Sequence, residues 1–321
     1  MMNKMIARSL ALAAFAGMAM LGWSETYAVL MGVNDYPNPT DAAGSPLKDE
    51  QGKPVEAKLK GCVNDVSDIS LFLTELYGVD EKNVIKLTDK AADSKAFLDT
   101  MKSTIAKLKP GDQLIYFFSG HGTRIKDDKS KDDDGKASAI VLADMVLVRG
   151  NLFGDLSKAL AGAGIHSTFI FDSCFSGGMS RDVNIYGING ARKKSLNFSA
   201  KQMKDGSGLF KAAIKDYKGK VAGAPKMMDE KGQYAFFFAS QNNVTSIDFP
   251  GTDDGKIPPH GLFTLGLLAH LADKPEAPSS EVSDNVLKWF NTQLEKTDIK
   301  QRPTTEFSSP DRAKQPVFPK G

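Results

Sequence analysis

At 321 residues, with 41% apolar and 9% aromatic residues, the chain can bury a sizeable core and is neither disordered nor fibrous. Its 41 basic residues against 39 acids give a formal charge of +2, so the charge balance suggests no nucleic-acid footprint. Two cysteines, Cys62 and Cys174, leave room for one disulfide at most.

Lys4 and Arg8 precede an uncharged Ala/Leu/Met/Phe-rich run from Ser9 to Gly22. That is the pattern of a secretory signal peptide over residues 1–24, and the run is short for a membrane span. Cleavage ahead of Glu25 would remove two cations and no anion. The mature protein is then close to neutral, exported to the periplasm or secreted, and not stably membrane-bound. An uncleaved anchor is the other reading. Tyr27 to Asn34 reads as a first strand and residues 37–60 as a Pro/Gly/Lys/Asp-rich loop. From Asp65, apolar Val66, Ile69, Phe72, Leu73 and Leu76 fall at helical spacing, and Gly78 is placed to end the helix. A short strand is predicted at Asn83–Leu87. An amphipathic helix follows over 94–109 (Phe97, Met101, Ile105, Leu108), closed by Pro110-Gly111.

Leu114 to Phe118 is an unbroken apolar run that ends in Ser-Gly-His121-Gly, and a charged loop follows over 125–136. A β-rich segment (Ala139–Val148) and a helix over 152–162 lead to a second apolar strand. This one, Thr168-Phe-Ile-Phe, ends in Asp-Ser-Cys174-Phe-Ser-Gly-Gly. Tyr234–Ser240 is a further buried strand, with helices expected over 261–272 and 281–296. Apolar strands alternating with helices imply an α/β fold with a mainly parallel central sheet covered on both faces. The expected organisation is a domain over 25–275 with a long polar insertion at 179–232. A C-terminal helix and Pro-rich tail, 276–321, would pack on the same domain. No internal repeat is visible.

In open parallel sheets chemistry sits outside the carboxyl ends of the strands. Here one strand end carries an imidazole and another a thiol, each beside glycines that let a backbone approach. Cys174 and His121 are therefore a candidate nucleophile–base pair for acyl transfer, with the amides of Gly122 and Cys174 facing a developing oxyanion. His260, in Pro-Pro-His-Gly, is the competing base. A turn histidine, a pair of inert thiols and a Cys62–Cys174 disulfide are the blander readings. No cofactor is required by this chemistry.

His121 precedes Cys174 by about fifty residues, a separation found in caspases. The chain resembles caspase-like cysteine peptidases of clan CD, and metacaspases most closely. The resemblance runs through Tyr27-Ala-Val-Leu-Met-Gly-Val-Asn-Asp-Tyr, Leu59-Lys-Gly-Cys62-Val-Asn-Asp65, Tyr116-Phe-Phe-Ser-Gly-His121-Gly, Asp172-Ser-Cys174-Phe-Ser-Gly, Phe238-Ala-Ser240 and Gly261-Leu-Phe-Thr264. It implies a caspase-like α/β/α sandwich and endopeptidase activity on protein or peptide substrates. It also implies an acidic pocket for Arg or Lys before the cut, built from Asp65 and Asp172 with Cys62 and Ser119. Asp65 as a helix N-cap is the local alternative.

Two departures stand out. Phe175 follows the thiol where metacaspases usually carry His, and the acidic loop Asp132-Asp133-Asp134-Gly135 lacks the family's Asp-Glu pair. Calcium activation through Asp132, Asp133 and Asp134 is one expectation, and a solvated turn is the other. The resemblance further implies self-cleavage in the polar insertion, after Arg192, Lys193 or Lys194, and a solvated linker is the other reading. A caspase-fold protein that binds peptides without turnover remains the alternative function. Oligomeric state is not legible.

Overall fold

The computed structural model describes residues 24–49, 52–127, 135–174, 190–195, 201–222, 232–241, 244–295, 297 and 300–318. Residues 1–23 of the signal-peptide segment, Phe175 and Asp132–Asp134 lie outside these residues. In chain order the first strands are β1 (Thr26–Gly32), β2 (Val84–Thr88), β3 (Gln113–Ser119), β4 (Gly122–Lys126), β5 (Lys136–Val141), β6 (Val146–Arg149) and β7 (His166–Asp172). Then come β8 (Arg192–Lys193), β9 (Lys204–Asp205), β10 (Tyr234–Phe238), β11 (Ile247–Phe249), β12 (His260–Gly261) and β13 (Thr304–Phe307). The helices are α1 (Cys62–Glu75), α2 (Ser94–Ile105), α3 (Gly150–Gly162), α4 (Ser207–Ala222), α5 (Leu262–Asp273), α6 (Ser279–Gln293) and the short α7 (Pro310–Lys314).

The central sheet runs β13-β10-β7-β3-β1-β2, parallel throughout except for β13 at one edge. Its side chains alternate between two cores, as the two-residue period of a strand requires. Val29, Met31, Tyr116, Phe118, Phe169, Phe171 and Phe236 pack against α2, α3 and Phe210 of α4. Leu30, Ile115, Phe117, Ile170 and Phe237 pack against α1, α5 and α6 on the other side. Burying side chains of this kind contributes roughly 1.5–3 kcal/mol each. The result is an α/β/α sandwich.

Register decides where the chemistry falls. Gly32 pairs with Ser119, and Ser119 pairs with Asp172, so β1, β3 and β7 end flush. The chain leaves β1 for β2 on one side and returns to β3 on the other, which opens a crevice at those ends. His121 and Cys174 each stand two residues beyond a paired strand end. A Cβ on Gly122 would lie 1.9 Å from the Cys174 carbonyl oxygen, so the two turns touch through backbone and only glycine fits.

Three stretches of the chain escape the sequence pattern. The residues read as a charged loop contain strand ends, because β4 and β5 pair as antiparallel arms from Gly122↔Ile140 to Lys126↔Lys136. The polar stretch 179–232 carries β8, β9 and α4, whose single deeply buried apolar anchor among the described residues is Phe210. β13 reads Thr-Thr-Glu-Phe, too short and polar for its alternation to be seen. Helix α1 also begins earlier than expected, at Cys62. Its first amides are satisfied from distant chain. Lys60 and Gly61 donate to the Asp248 carboxylate at 2.8 and 2.9 Å, and Cys62 donates to Asn34 Oδ1 at 2.9 Å. Asp65 is therefore not an N-cap. It sits inside the first turn with its carboxylate released for other work.

Candidate active site

The crevice at the ends of β1, β3 and β7 holds a fully buried acidic pocket. Asp65 accepts hydrogen bonds from Ser119 Oγ at 2.6 Å and Gly261 N at 2.9 Å, and its carboxylate lies 3.1 Å from His260 Nδ1. Asp172 accepts from Thr264 N and Oγ1 at 2.9 and 2.8 Å and from Ser246 Oγ at 2.9 Å. These fixed donors hold both carboxylates facing inward. Cys62 is buried beside them and interacts with Ser119.

One side chain fills the pocket. Lys194 is completely buried, and its Nζ lies 3.1 Å from Asp172 Oδ1 and 3.4 Å from Asp65 Oδ2. It donates to Ser119 Oγ at 2.8 Å and to the Asp172 carbonyl at 3.3 Å. Burial works against the ammonium, yet the charge of Asp172, followed by Cys62 and Asp65, holds its pKa well above the ordinary lysine value. Burial likewise opposes the Asp65 carboxylate, but Lys194 and then His260 outweigh it and keep its pKa low. The floor is tight. A Cβ on Gly261 would lie 2.0 Å from Asp172 Oδ2 and 2.3 Å from Lys194 Nζ, so any side chain there would take the ammonium's place.

The backbone of the same residue lies across the two strand ends. The Lys194 carbonyl accepts from Gly122 N at 2.9 Å and from Cys174 N at 3.4 Å. Lys194 N donates to Ser246 O at 2.9 Å, and β8 pairs antiparallel with β11 through Lys193↔Ile247 and Arg192↔Asp248. Residues 192–194 are thus held as an added strand, the way an extended peptide is held at a sheet edge. Ser195 follows, bridged to Gly122, with its side chain hydrogen-bonded to the Cys174 thiol. The residues on either side of the Lys194–Ser195 bond thus contact both reacting side chains, Ser195 the thiol and the Lys194 carbonyl the His121 imidazole.

His121 is fixed from several sides. Its Nε2 is 2.6 Å from the Ala57 carbonyl, and its ring lies 4.6 Å from that of Tyr36. The Tyr36 hydroxyl accepts from His121 N at 3.1 Å and donates to Val141 O at 2.8 Å. Burial drives the imidazole pKa down to about 4, against the carbonyls of Ala57 and Lys194, which favour its charged form. Burial likewise pushes the Cys174 thiol up to about 12, although the Ser246 amide and the Ser195 side chain favour the thiolate. With the strand in place the pair is neutral, a thiol and an imidazole closed off from water.

The residues singled out in the sequence thus converge: His121, Gly122, Cys174, Cys62, Asp65, Ser119, Asp172 and Lys194 line one crevice. Arg192 and Lys193 belong to the same strand but lie upstream of the thiol. Both cysteines are free and buried, which excludes the disulfide. His260 is not beside the thiol. It is wedged between Asp65 and Asp68, whose carboxylate is 3.5 Å from Nε2, and its pKa is raised because Asp65 overcomes the effect of burial. Sequence reasoning gave Tyr36 no role although it closes the first motif, and passed over Ala57, Ser246 and Asp248, which sit in loops or on a three-residue strand without a pattern of their own. Asp248 is held by the Lys60 and Gly61 amides, and burial pushes its carboxyl up to about 6. Among the described residues no cluster of His, Cys, Asp or Glu suits a metal ion, and no helix is long and apolar enough to cross a membrane.

Residues 28–182 match the family model for the metacaspase, peptidase C14 domain. Over that segment the chain is similar to metacaspase-type peptidases. The matched segment contains both strand ends and both pocket acids, whereas Lys194 lies beyond it. Metacaspase-1A of Neurospora crassa is 31% identical over 191 residues, covering 56% of this chain and 41% of that protein. Metacaspase-6 and metacaspase-8 of Arabidopsis thaliana are 34% and 36% identical over 156 and 133 residues, covering 47% and 39% of this chain and 40% and 35% of theirs. The chain spans about two fifths of the length of these metacaspases. The crystal structure of protein GSU0716 from Geobacter sulfurreducens shares the fold, with a TM-score of 0.56 at 20% identity over 92% of this chain and 98% of that one.

Proposed function

We propose that this metacaspase-type chain is a cysteine endopeptidase that cuts after Lys or Arg, and that its own Lys194–Ser195 bond is a substrate. One observation carries the reading: Lys194 puts its ammonium between two carboxylates while its carbonyl accepts from the amides of Gly122 and Cys174. The chemistry follows from that placement. His121 takes the thiol proton as sulfur attacks the Lys194 carbonyl carbon, and the oxyanion forms against the two amides. The imidazolium then gives its proton to the leaving amine of Ser195, and the C–N bond breaks. Water, deprotonated by His121, hydrolyses the thioester and restores the thiol. Asp172 and Asp65 supply the electrostatic preference for a cation, and the Ala57 carbonyl orients the imidazole.

Fluorogenic peptides ending in Lys, Arg or Asp test this with wild type, Cys174→Ala and His121→Ala, with and without calcium and reductant. Turnover of Lys and Arg peptides, absent from both variants, is the expected result. A wild type that binds such peptides but turns none over in any condition would replace the enzyme with a peptide-binding protein.

A further inference from the structure

We propose that Glu56, together with the Lys58 carbonyl, forms a second specificity subsite that takes an arginine two residues upstream of the residue cut. The inference rests on the endopeptidase reading above and extends it from one basic residue to an Arg-x-Lys pattern. In a strand, residues two apart point to the same side, so Arg192 and Lys194 present their side chains together. Lys194 enters the pocket. Arg192 extends to the segment just before α1, where its Nη2 donates to Glu56 Oε2 at 2.8 Å and its Nη1 donates to the Lys58 carbonyl. The two prongs of one guanidinium thus meet a carboxylate and a backbone oxygen. A planar fork spans that pair, and a lysine ammonium, a single point charge, does not.

The receiving segment is also firmly held. Ala57 N donates to Asn38 Oδ1 at 3.1 Å, Leu59 N donates to Asn34 O at 2.9 Å, and Lys60 N is fixed on Asp248. The same short stretch orients His121 through the Ala57 carbonyl. An arginine seated on Glu56 and Lys58 therefore registers the substrate strand against the residues that cut it. Glu56 is 63% exposed and the Arg192 side chain 28%, so water and salt weaken the pair. The preference it gives is correspondingly modest, about three- to tenfold.

The test uses peptides of one sequence with Lys before the cut and Arg, Lys, Ala or Glu two residues further upstream. They are offered to wild type, Glu56→Gln and Glu56→Arg, and the ratio of kcat/KM values within each enzyme is read. Wild type is expected to favour Arg over Ala three- to tenfold and Arg over Lys by a smaller margin. Glu56→Gln should bring the Arg/Ala ratio within twofold, and Glu56→Arg should turn the preference toward Glu. An Arg/Ala ratio near one in wild type, or one that both variants retain, overturns the subsite and leaves cleavage after Lys standing. Failure of wild type to cut any of the peptides overturns the endopeptidase reading, and the subsite with it.

Discussion

Replacing Asp172 by Asn is expected to lower kcat/KM for Lys peptides by about a hundred- to a thousandfold, with a smaller loss for Asp65→Asn. Both carboxylates are fully buried, but Asp172 lies nearer the ammonium, at 3.1 against 3.4 Å, and Asp65 also faces His260. Breaking a buried ion pair by neutralising one partner costs about 3–5 kcal/mol, and each 1.36 kcal/mol is tenfold in rate. The second carboxylate and Ser119 recover part of that, which keeps the estimate at the lower end. Asn preserves the size of the side chain and can still accept from Thr264, so the substitution removes charge more than shape. The loss should appear in kcat as well as KM, because the ammonium's seat also holds the scissile carbonyl against the two amides. Steady-state kinetics on Lys peptides, with a melting curve to show that the variant is folded, checks this. A loss below tenfold would mean that the pocket acids do not recognise the substrate cation.

Release of the inner strand is expected to raise the reactivity of Cys174 by two to three orders of magnitude. With Lys194 seated, burial holds the thiol at about 12 and the imidazole at about 4. Alkylation proceeds through the thiolate, so at neutral pH it is slow and rises about tenfold per pH unit up to the thiol pKa. A cysteine near its unperturbed value of about 8.5 would carry some thousandfold more thiolate at pH 7. The comparison needs chains that cannot cut themselves, so His121→Ala is set against His121→Ala/Lys194→Glu. The glutamate is repelled by Asp65 and Asp172, the strand leaves, and water reaches the sulfur. Iodoacetamide labelling mapped to the Cys174 peptide should be slow and steeply pH-dependent in the first protein. In the second it should be fast and level off at lower pH. Equal rates and equal pH profiles would show that the 192–195 strand does not guard the thiol.

Much of this site was legible in the sequence because its parts sit at the ends of strong signals. The runs before His121 and Cys174 are buried on both faces, so their apolar character is continuous and their ends are sharp. The family resemblance carried by the motifs then implies the pocket acids. What stayed hidden depends on distant pairing. The start of α1 is set by Asp248 and Asn34, far off in the chain, and no local cap announces it. Ala57 acts through a carbonyl, which any residue could supply. The three basic residues 192–194 are equivalent candidates for the cut in the sequence until the register of β8 on β11 separates them. One seats in the pocket, one bridges to Glu56, and one lies between.

The most direct test is to hold purified wild type and Cys174→Ala side by side and sequence any new N-terminus. The account predicts a fragment beginning at Ser195 in the wild type alone, also absent from His121→Ala. Fragments that start elsewhere, or the same fragment from Cys174→Ala, would contradict it.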